Sequence, residues 1–287
     1  MKNILTLMRP HQYIKNIFIF APLVFAFNFN SFTLFNATIA FVLFSLLASS
    51  VYILNDYMDI EEDKLHPTKK YRPIASGTVS KAKAKVLFLA LCSTVFFISF
   101  LFNENLFYVL LLYFFLNVAY SLKLKHISIV DIFIIATGFV LRLFAGSLVS
   151  DTPLSMWIIL ITFLLAIFLA LAKRRDDVLL SLKGKETRKN IDGYNLEFVN
   201  ATMVLMSGIV ILSYLQYTVS DEITQRIGGE HLYYTVFFVI LGIFRYMQIT
   251  FVEEKSGSPT KIILKDRFMQ ITLLLWLACF IIIAKFL

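Results

Sequence analysis

Nine runs of roughly 20 mostly apolar residues, at about 13–28, 33–54, 82–102, 105–121, 127–149, 153–172, 199–219, 232–250 and 268–286, leave this chain few ways to fold. A helix of roughly 20 residues matches the hydrocarbon thickness of a bilayer, and lipid cannot hydrogen-bond peptide groups left open by irregular backbone. Each run is therefore expected as a transmembrane helix. With 59% hydrophobic and only 16% charged residues among 287, the chain holds more apolar surface than one soluble core can hide. The expected architecture is all-α: a polytopic bundle of nine transmembrane helices forming one domain, residues 1–287.

The net charge of +8 invites a nucleic-acid reading, but its distribution argues against one. The first sixteen residues, 55–86, Lys123 with Lys125, 173–189 and 245–267 together hold 24 of the 27 basic residues. With nine spans these segments share one side, which the positive-inside tendency makes cytoplasmic, with the N-terminus inside and the C-terminus outside. Met1-Lys-Asn-Ile4 is not followed by a small-residue cleavage site, so the first span is expected to persist in the mature protein. Cys92 and Cys279 lie within spans and form neither a metal pattern nor a disulfide framework.

Residues 55–77 stand out against this apolar background. Five acids, five bases counting His66, and Asn55 fall between two apolar runs. The second run enters this stretch without a breaker, so Asn55, Asp59 and Asp63 recur at i, i+4 and i+8, and Asp56 precedes Asp59 and Asp63 by three and seven residues. One helix face thus carries all four candidate oxygen ligands, and carboxylates at such spacings repel unless cations offset them. A hard-oxygen donor set without thiols suits Mg²⁺ on a polyphosphate, because that ion is typically held by one or two carboxylates together with the phosphates themselves. The loop that follows, His66-Pro-Thr-Lys69-Lys70-Tyr-Arg72-Pro73 through Gly77, is turn-rich, and Lys69, Lys70 and Arg72 offer the charges that phosphate oxygens attract.

Other elements add polar groups to the same end. Arg9, Gln12, Lys15 and Asn16 open the first run and are expected to line the same polar mouth. Tyr120, Lys123 and Lys125 close the fourth. In the fifth, Asp131, Gly138 and Arg142 share a face at i+7 and i+11; Arg142 lies eight residues from Ser150, too deep to snorkel easily, and is expected to face a polar cavity. A second cluster, Lys173-Arg174-Arg175-Asp176-Asp177, ends the sixth run, and the polar loop through Lys183, Lys185, Arg188, Lys189, Asp192 and Tyr194 is suited to cap a site. Glycine-rich phosphate loops, zinc patterns and nucleophile elbows are absent.

Asn55-Asp-x-x-Asp-x-x-x-Asp63 after the second apolar run resembles the first signature of the UbiA superfamily of intramembrane prenyltransferases. Arg9-Pro-His-Gln-Tyr-Ile-Lys15-Asn16, His66-Pro-Thr-Lys-Lys-Tyr-Arg72-Pro-Ile-Ala-Ser-Gly77, Ala119-Tyr-Ser-x-x-Leu-Lys125-His126 and Leu141-Arg142-x-x-Ala-Gly146 are similar to its decaprenyl-phosphate phosphoribosyltransferase branch. The resemblance implies a transferase of the cell (inner) membrane with a cytoplasmic-side active-site cavity, which moves a phosphoribosyl group from phosphoribosyl pyrophosphate to a polyprenyl phosphate. It implies that Asn55, Asp56, Asp59 and Asp63 hold Mg²⁺, and that Lys15, Lys69, Arg72, Tyr120, Lys125 and Arg142 handle substrate phosphates. Asn16, Lys70, Lys173 and Arg174 are read as further substrate-binding residues, and Asp56, Asp59, Asp63, Lys125 and Arg142 as the catalytic set. Neither side of the membrane chemistry calls for nucleic acid, and a homo-oligomer is compatible with the sequence.

The typical second motif of aromatic prenyltransferases, Asp-x-x-x-Asp, is missing after the sixth run, because Asp177 is followed by Val178-Leu-Leu with no acid four residues on. Transfer of a prenyl group from its diphosphate to a ring or other acceptor remains the second reading. A transporter using Asp131 and Arg142 is the third; it calls for polar residues through both membrane halves and an internal repeat, whereas the chemistry sits at one end.

Overall fold

A computed structural model describes residues 2–65, 68–184, 193–227, 229–255 and 259–286. The described residues are helical or irregular, without strands. Helices α1 (Lys2–Met8), α2 (Ala21–Ala26), α3 (Ser31–Met58), α4 (Ile60–Leu65), α5 (Lys81–Phe102), α6 (Glu104–Leu122) and α7 (Val130–Ser150) belong to a compact unit ending at Leu154. A second unit, from Ser155, holds α8 (Met156–Leu182), α9 (Leu196–Val219), α10 (Asp221–Ile227), α11 (Val236–Phe251), α12 (Pro259–Lys265) and α13 (Arg267–Phe286).

Among the described residues, eight helices are long and apolar enough to cross a membrane: α3, α5 to α9, the helical stretch His231–Phe251 that includes α11, and α13. The first expected span differs. Residues Pro10–Phe20 wind as a 3-10 helix, α2 follows, and Phe27 turns left-handed at φ 54°. Pro22 has no N–H to give the carbonyl of Phe18; the Ala21 N–H bonds that carbonyl instead, three residues back. This segment therefore provides no single long α-helix.

In the first unit, Ile19, Phe44, Leu47, Leu106, Leu110, Tyr113, Leu141 and Ala145 bring the 3-10 helix, α3, α6 and α7 into one core. Close approach comes from Gly146, where an added Cβ would overlap the carbonyl oxygen of Ile19. A smaller core of Leu7, Ile53, Ile60, Ile74, Val79 and Ala84 clamps the loop after α4 against α1, α3 and α5. That loop folds back on itself through Ser76 N–H to Arg72 O at 2.9 Å and Val79 N–H to Pro73 O at 2.9 Å, with Gly77 at φ 75° making the turn.

In the second unit the buried Arg175 ties three helices: Nε donates to Asn200 Oδ1 of α9 at 2.9 Å, and Nη1 to the Thr250 carbonyl of α11 at 2.7 Å. Replacing it with Met keeps the volume but leaves the buried Thr250 carbonyl and the half-buried Asn200 amide oxygen without this donor. We expect Arg175→Met to lose about 2–4 kcal/mol of stability, read as a lower unfolding midpoint of the detergent-solubilised protein.

Candidate active site

The acid stretch keeps its helical register while breaking its helix. Met58 ends α3 and Ile60 begins α4, yet the Asp59 N–H still bonds Asn55 O at 3.0 Å and the Asp63 N–H bonds Asp59 O at 2.8 Å. The expected single face therefore survives, with Asp56 and Asp63 buried and Asp59 at the junction.

The cations that such a face requires are all present. Arg9 Nη2 meets Asp56 Oδ1 at 2.5 Å, and one nitrogen of Arg72 reaches both Asp56 Oδ1 at 3.0 Å and Asp63 Oδ2 at 2.8 Å. Lys125, from the short 3-10 turn Leu124–His126 after α6, pairs with Asp59, whose other oxygen accepts from Asn55 Nδ2 at 3.1 Å. The carboxylates thus fall into two adjacent groups. Burial raises the Asp63 carboxyl above the usual carboxylate range, and the Arg72 charge and hydrogen bond oppose that rise.

Among the described residues, no three acids, histidines or cysteines cluster as a ready-made metal cage. Mg²⁺ does not need one, since one or two carboxylates plus substrate phosphates suffice. Asp56 and Asp63 already converge on a single nitrogen of Arg72, and Asp56 Oδ2 is buried with no hydrogen-bond partner. An open buried carboxylate oxygen beside a second carboxylate fits a hard dication.

A second polar layer lies deeper. Asn16 is buried, donating to Ser45 Oγ at 2.8 Å and accepting from Arg142 Nε at 2.7 Å. Arg142 Nη1 gives a 2.5 Å bond to Gly138 O, and its guanidinium lies 4.9 to 5.3 Å from the rings of Phe44, Tyr113 and Phe139. Lys15 is half-buried and faces the charges of Arg142 and Arg9. The expected common face of Asp131, Gly138 and Arg142 is buried throughout.

Other expected residues distribute unevenly. Lys69 is half-buried within the field of Asp63, whereas Lys70 is exposed with its ammonium 5.3 Å from the Tyr71 ring centre. Tyr120 is half-buried in the last turn of α6. Lys173 and Arg174 belong to the second unit, where the buried Arg174 bonds Asp177 at 2.5 Å. His66, Pro67 and the stretch 185–192, including Lys185, Arg188, Lys189 and Asp192, lie outside the described residues.

Several residues of the layers carried only faint sequence signals. Tyr13 shares a 2.7 Å hydrogen bond with Ser49, and Ser45 and Ser49 are the i, i+4 polar pair that faces the 3-10 helix. Two serines at helical spacing inside an apolar run were the available hint. Phe44, Tyr52 and Tyr113 had none, because an aromatic ring in a membrane span reads as lipid-facing or core alike.

The first unit thus joins apolar helices of membrane length to a face of acids, each paired with a base. The chain belongs to the UbiA prenyltransferase family, whose model matches residues 17–274, and it is a transferase. A relative from Mycolicibacterium smegmatis, named decaprenyl-phosphate phosphoribosyltransferase, is 32% identical over 94% of this chain and 88% of its own length. One of the same name from Corynebacterium glutamicum is 30% identical over 96% of this chain and 84% of its own. Among solved structures, a UbiA homolog from Archaeoglobus fulgidus bound to DMAPP and Mg²⁺ superposes with a TM-score of 0.72 at 18% identity, covering 99% of this chain and 100% of that one. That likeness establishes the fold, and the apolar helices together with the family make this an integral membrane protein.

Proposed function

We propose that this protein transfers a 5-phosphoribosyl group from phosphoribosyl pyrophosphate to a polyprenyl, decaprenyl-like phosphate, releasing pyrophosphate with the help of Mg²⁺. The observation that carries the reading is the convergence of Asp56 and Asp63 on one cation beside an open Asp56 oxygen. It is supported by two relatives, near 30% identical over most of both chains, that bear the phosphoribosyltransferase name.

Asn55, Asp56, Asp59 and Asp63 would hold the metal, which supplies charge neutralisation for the leaving pyrophosphate. Arg9, Arg72 and Lys125, which neutralise the acids here, are placed to turn toward phosphate oxygens when a dication takes over the carboxylates. A polyprenyl phosphate oxygen attacks C1 of the ribose while the C1–O bond to pyrophosphate breaks and the pyrophosphate keeps the electron pair. Once turned to the phosphates, these cations would stabilise that developing charge, and no covalent nucleophile is called for. Lys15, Asn16, Lys69, Lys70, Tyr120 and Arg142 complete the proposed substrate contacts of the first unit, and Lys173 and Arg174 are proposed as substrate contacts of the second.

We read the whole chain as one transmembrane domain, since the family match runs across both units. Pro10–Ala26 is proposed as the ninth crossing. Eleven 3-10 residues rise roughly 22 Å and six α-residues about 9 Å, together close to the hydrocarbon thickness. The placement of the bases favours a cell-membrane protein with its N-terminus and acid face cytoplasmic and its C-terminus outside.

The test supplies membranes containing the protein with radiolabelled phosphoribosyl pyrophosphate, polyprenyl phosphate and Mg²⁺. Label is expected in the lipid fraction only when all three are present; none there overturns the reading. Labelled prenyl diphosphate with ring acceptors is the control for the second reading, and is expected to yield no product. In the same assay Lys125→Ala is expected to raise KM for the donor about ten-fold, the scale of one lost charge-assisted contact.

A further inference from the structure

A groove opens in the first unit where α3 reaches its end against the start of α5. Ile53, Tyr57 and Met58 form its α3 side at i, i+4 and i+5, and Ala84, Lys85 and Leu89 form its α5 side. The space measures about 250 Å³. Ile53 and Ala84 belong to the core that clamps the loop after α4 and make a fixed floor, while Tyr57, Met58 and Leu89 are 39%, 48% and 53% exposed on the walls. Both helices are of membrane length, so what lies against the groove is lipid.

Its charge is as distinctive as its shape. Lys85 stands at the lip, and Lys81 precedes it by one turn on the same face of α5. Both are exposed, and among the described residues neither has an ion pair. Like charges at this spacing repel each other. Arg9, Arg72 and Lys125 of the same unit each face a carboxylate, whereas this lysine pair faces outward over an apolar trough. That order of charge above and apolar surface below matches an anionic phospholipid, which juxtamembrane bases attract. A soluble anion would leave the trough empty, and a lipid without net charge would leave the lysine pair uncompensated.

We propose that the groove between α3 and α5 binds one membrane-forming anionic phospholipid, with its phosphodiester on Lys81 and Lys85 and the start of an acyl chain over Ile53 and Ala84. This lipid is neither donor nor acceptor in the reaction read above, and the proposal stands without that reading. Met58 is both the last residue of α3 and a wall of the groove, so a lipid seated there braces the helix end that carries the acids.

The test uses the full-length protein in nanodiscs with phosphatidylglycerol carrying a photoreactive group in one acyl chain, beside the matching phosphatidylcholine probe. Crosslinked peptides are mapped by mass spectrometry. At limiting probe, phosphatidylglycerol is expected to label residues 53–58 and 84–89 about twenty-fold more than phosphatidylcholine, from about five-fold for each lysine at the phosphate. Lys81→Gln combined with Lys85→Gln is expected to bring the two probes level there, and Lys85→Gln alone carries the test if the pair fails to fold. Lys261→Gln, at an exposed base of the second unit, is expected to leave the preference intact. Equal labelling by both probes, or a preference that falls as far in Lys261→Gln, overturns the site. Displacement of the probe by polyprenyl phosphate but not by unlabelled phosphatidylglycerol also overturns it, by making the groove a place for substrate. Crosslinks from these peptides to a second copy of the chain in place of lipid overturn it as well.

Discussion

Asp59→Asn is expected to lower transfer at saturating substrates by about 10³-fold, close to 4 kcal/mol of barrier, while the protein still folds. The substitution is isosteric, and Asn55 can still hydrogen-bond the new side chain, so the α3–α4 junction keeps its ladder. What goes is one unit of negative charge opposite Lys125. In the proposed reaction that charge belongs to the metal ligands, and its loss weakens a dication more than it disturbs packing. The measurement is label transfer to lipid across a Mg²⁺ series, alongside the unfolding midpoint. Activity within ten-fold of the parent at low Mg²⁺ would remove Asp59 from the ligand set. Asp56→Asn provides a contrast: Asp56 is buried under both Arg9 and Arg72, so this variant is expected to lose stability as well as turnover.

The largest structural effect is expected at Gly146. A methyl group there occupies the place of the Ile19 carbonyl oxygen, and the obstacle is backbone on both sides, which has no rotamer to change. Gly146→Ala is therefore expected to destabilise the first unit by about 3–5 kcal/mol, enough to deplete folded protein from membranes. Gly208 in α9 is the control, because nothing lies within 4 Å of an added Cβ there. Gly208→Ala is expected to be neutral or stabilising by up to about 1 kcal/mol, following the helix preference for Ala. If both variants unfold at the parent midpoint, the close approach of the 3-10 helix to α7 is wrong. Because that helix holds Asn16 against Arg142 and follows Arg9, surviving Gly146→Ala protein should also transfer poorly.

Eight of the spans were legible because an apolar run of membrane length has one stable backbone solution. The first was not: proline within an apolar run leaves open where and how the helix restarts, and only the packing against Gly146 and Ser45 selects a 3-10 path. The acid face was legible from its i, i+4 spacing, which is a local property. Its partners were not, since Arg9 with Asp56 and Lys125 with Asp59 join residues 47 and 66 positions apart. Lys69 and Lys70 look equivalent in a proline-bounded loop, yet one falls in the field of Asp63 and the other lies over Tyr71. The depth of Arg142 was readable, whereas its aromatic surroundings, drawn from α3, α6 and α7, were not.

The winding of Pro10–Phe20 makes its length as consequential as its composition. With three residues per turn, side chains stack in straight columns. Tyr13, Asn16 and Ile19 form the column that meets Ser49, Ser45 and Gly146. His11 and Ile17 stand exposed in the next, and Gln12, Lys15 and Phe18 make the third, where Phe18 meets Phe139. Deleting or inserting one residue between Tyr13 and Ile19 would exchange columns beyond that point and present an outward-facing side chain to Ser45 or Gly146. Surface loops absorb such changes readily; this segment is a stretch where the reading frame of the helix itself is under constraint.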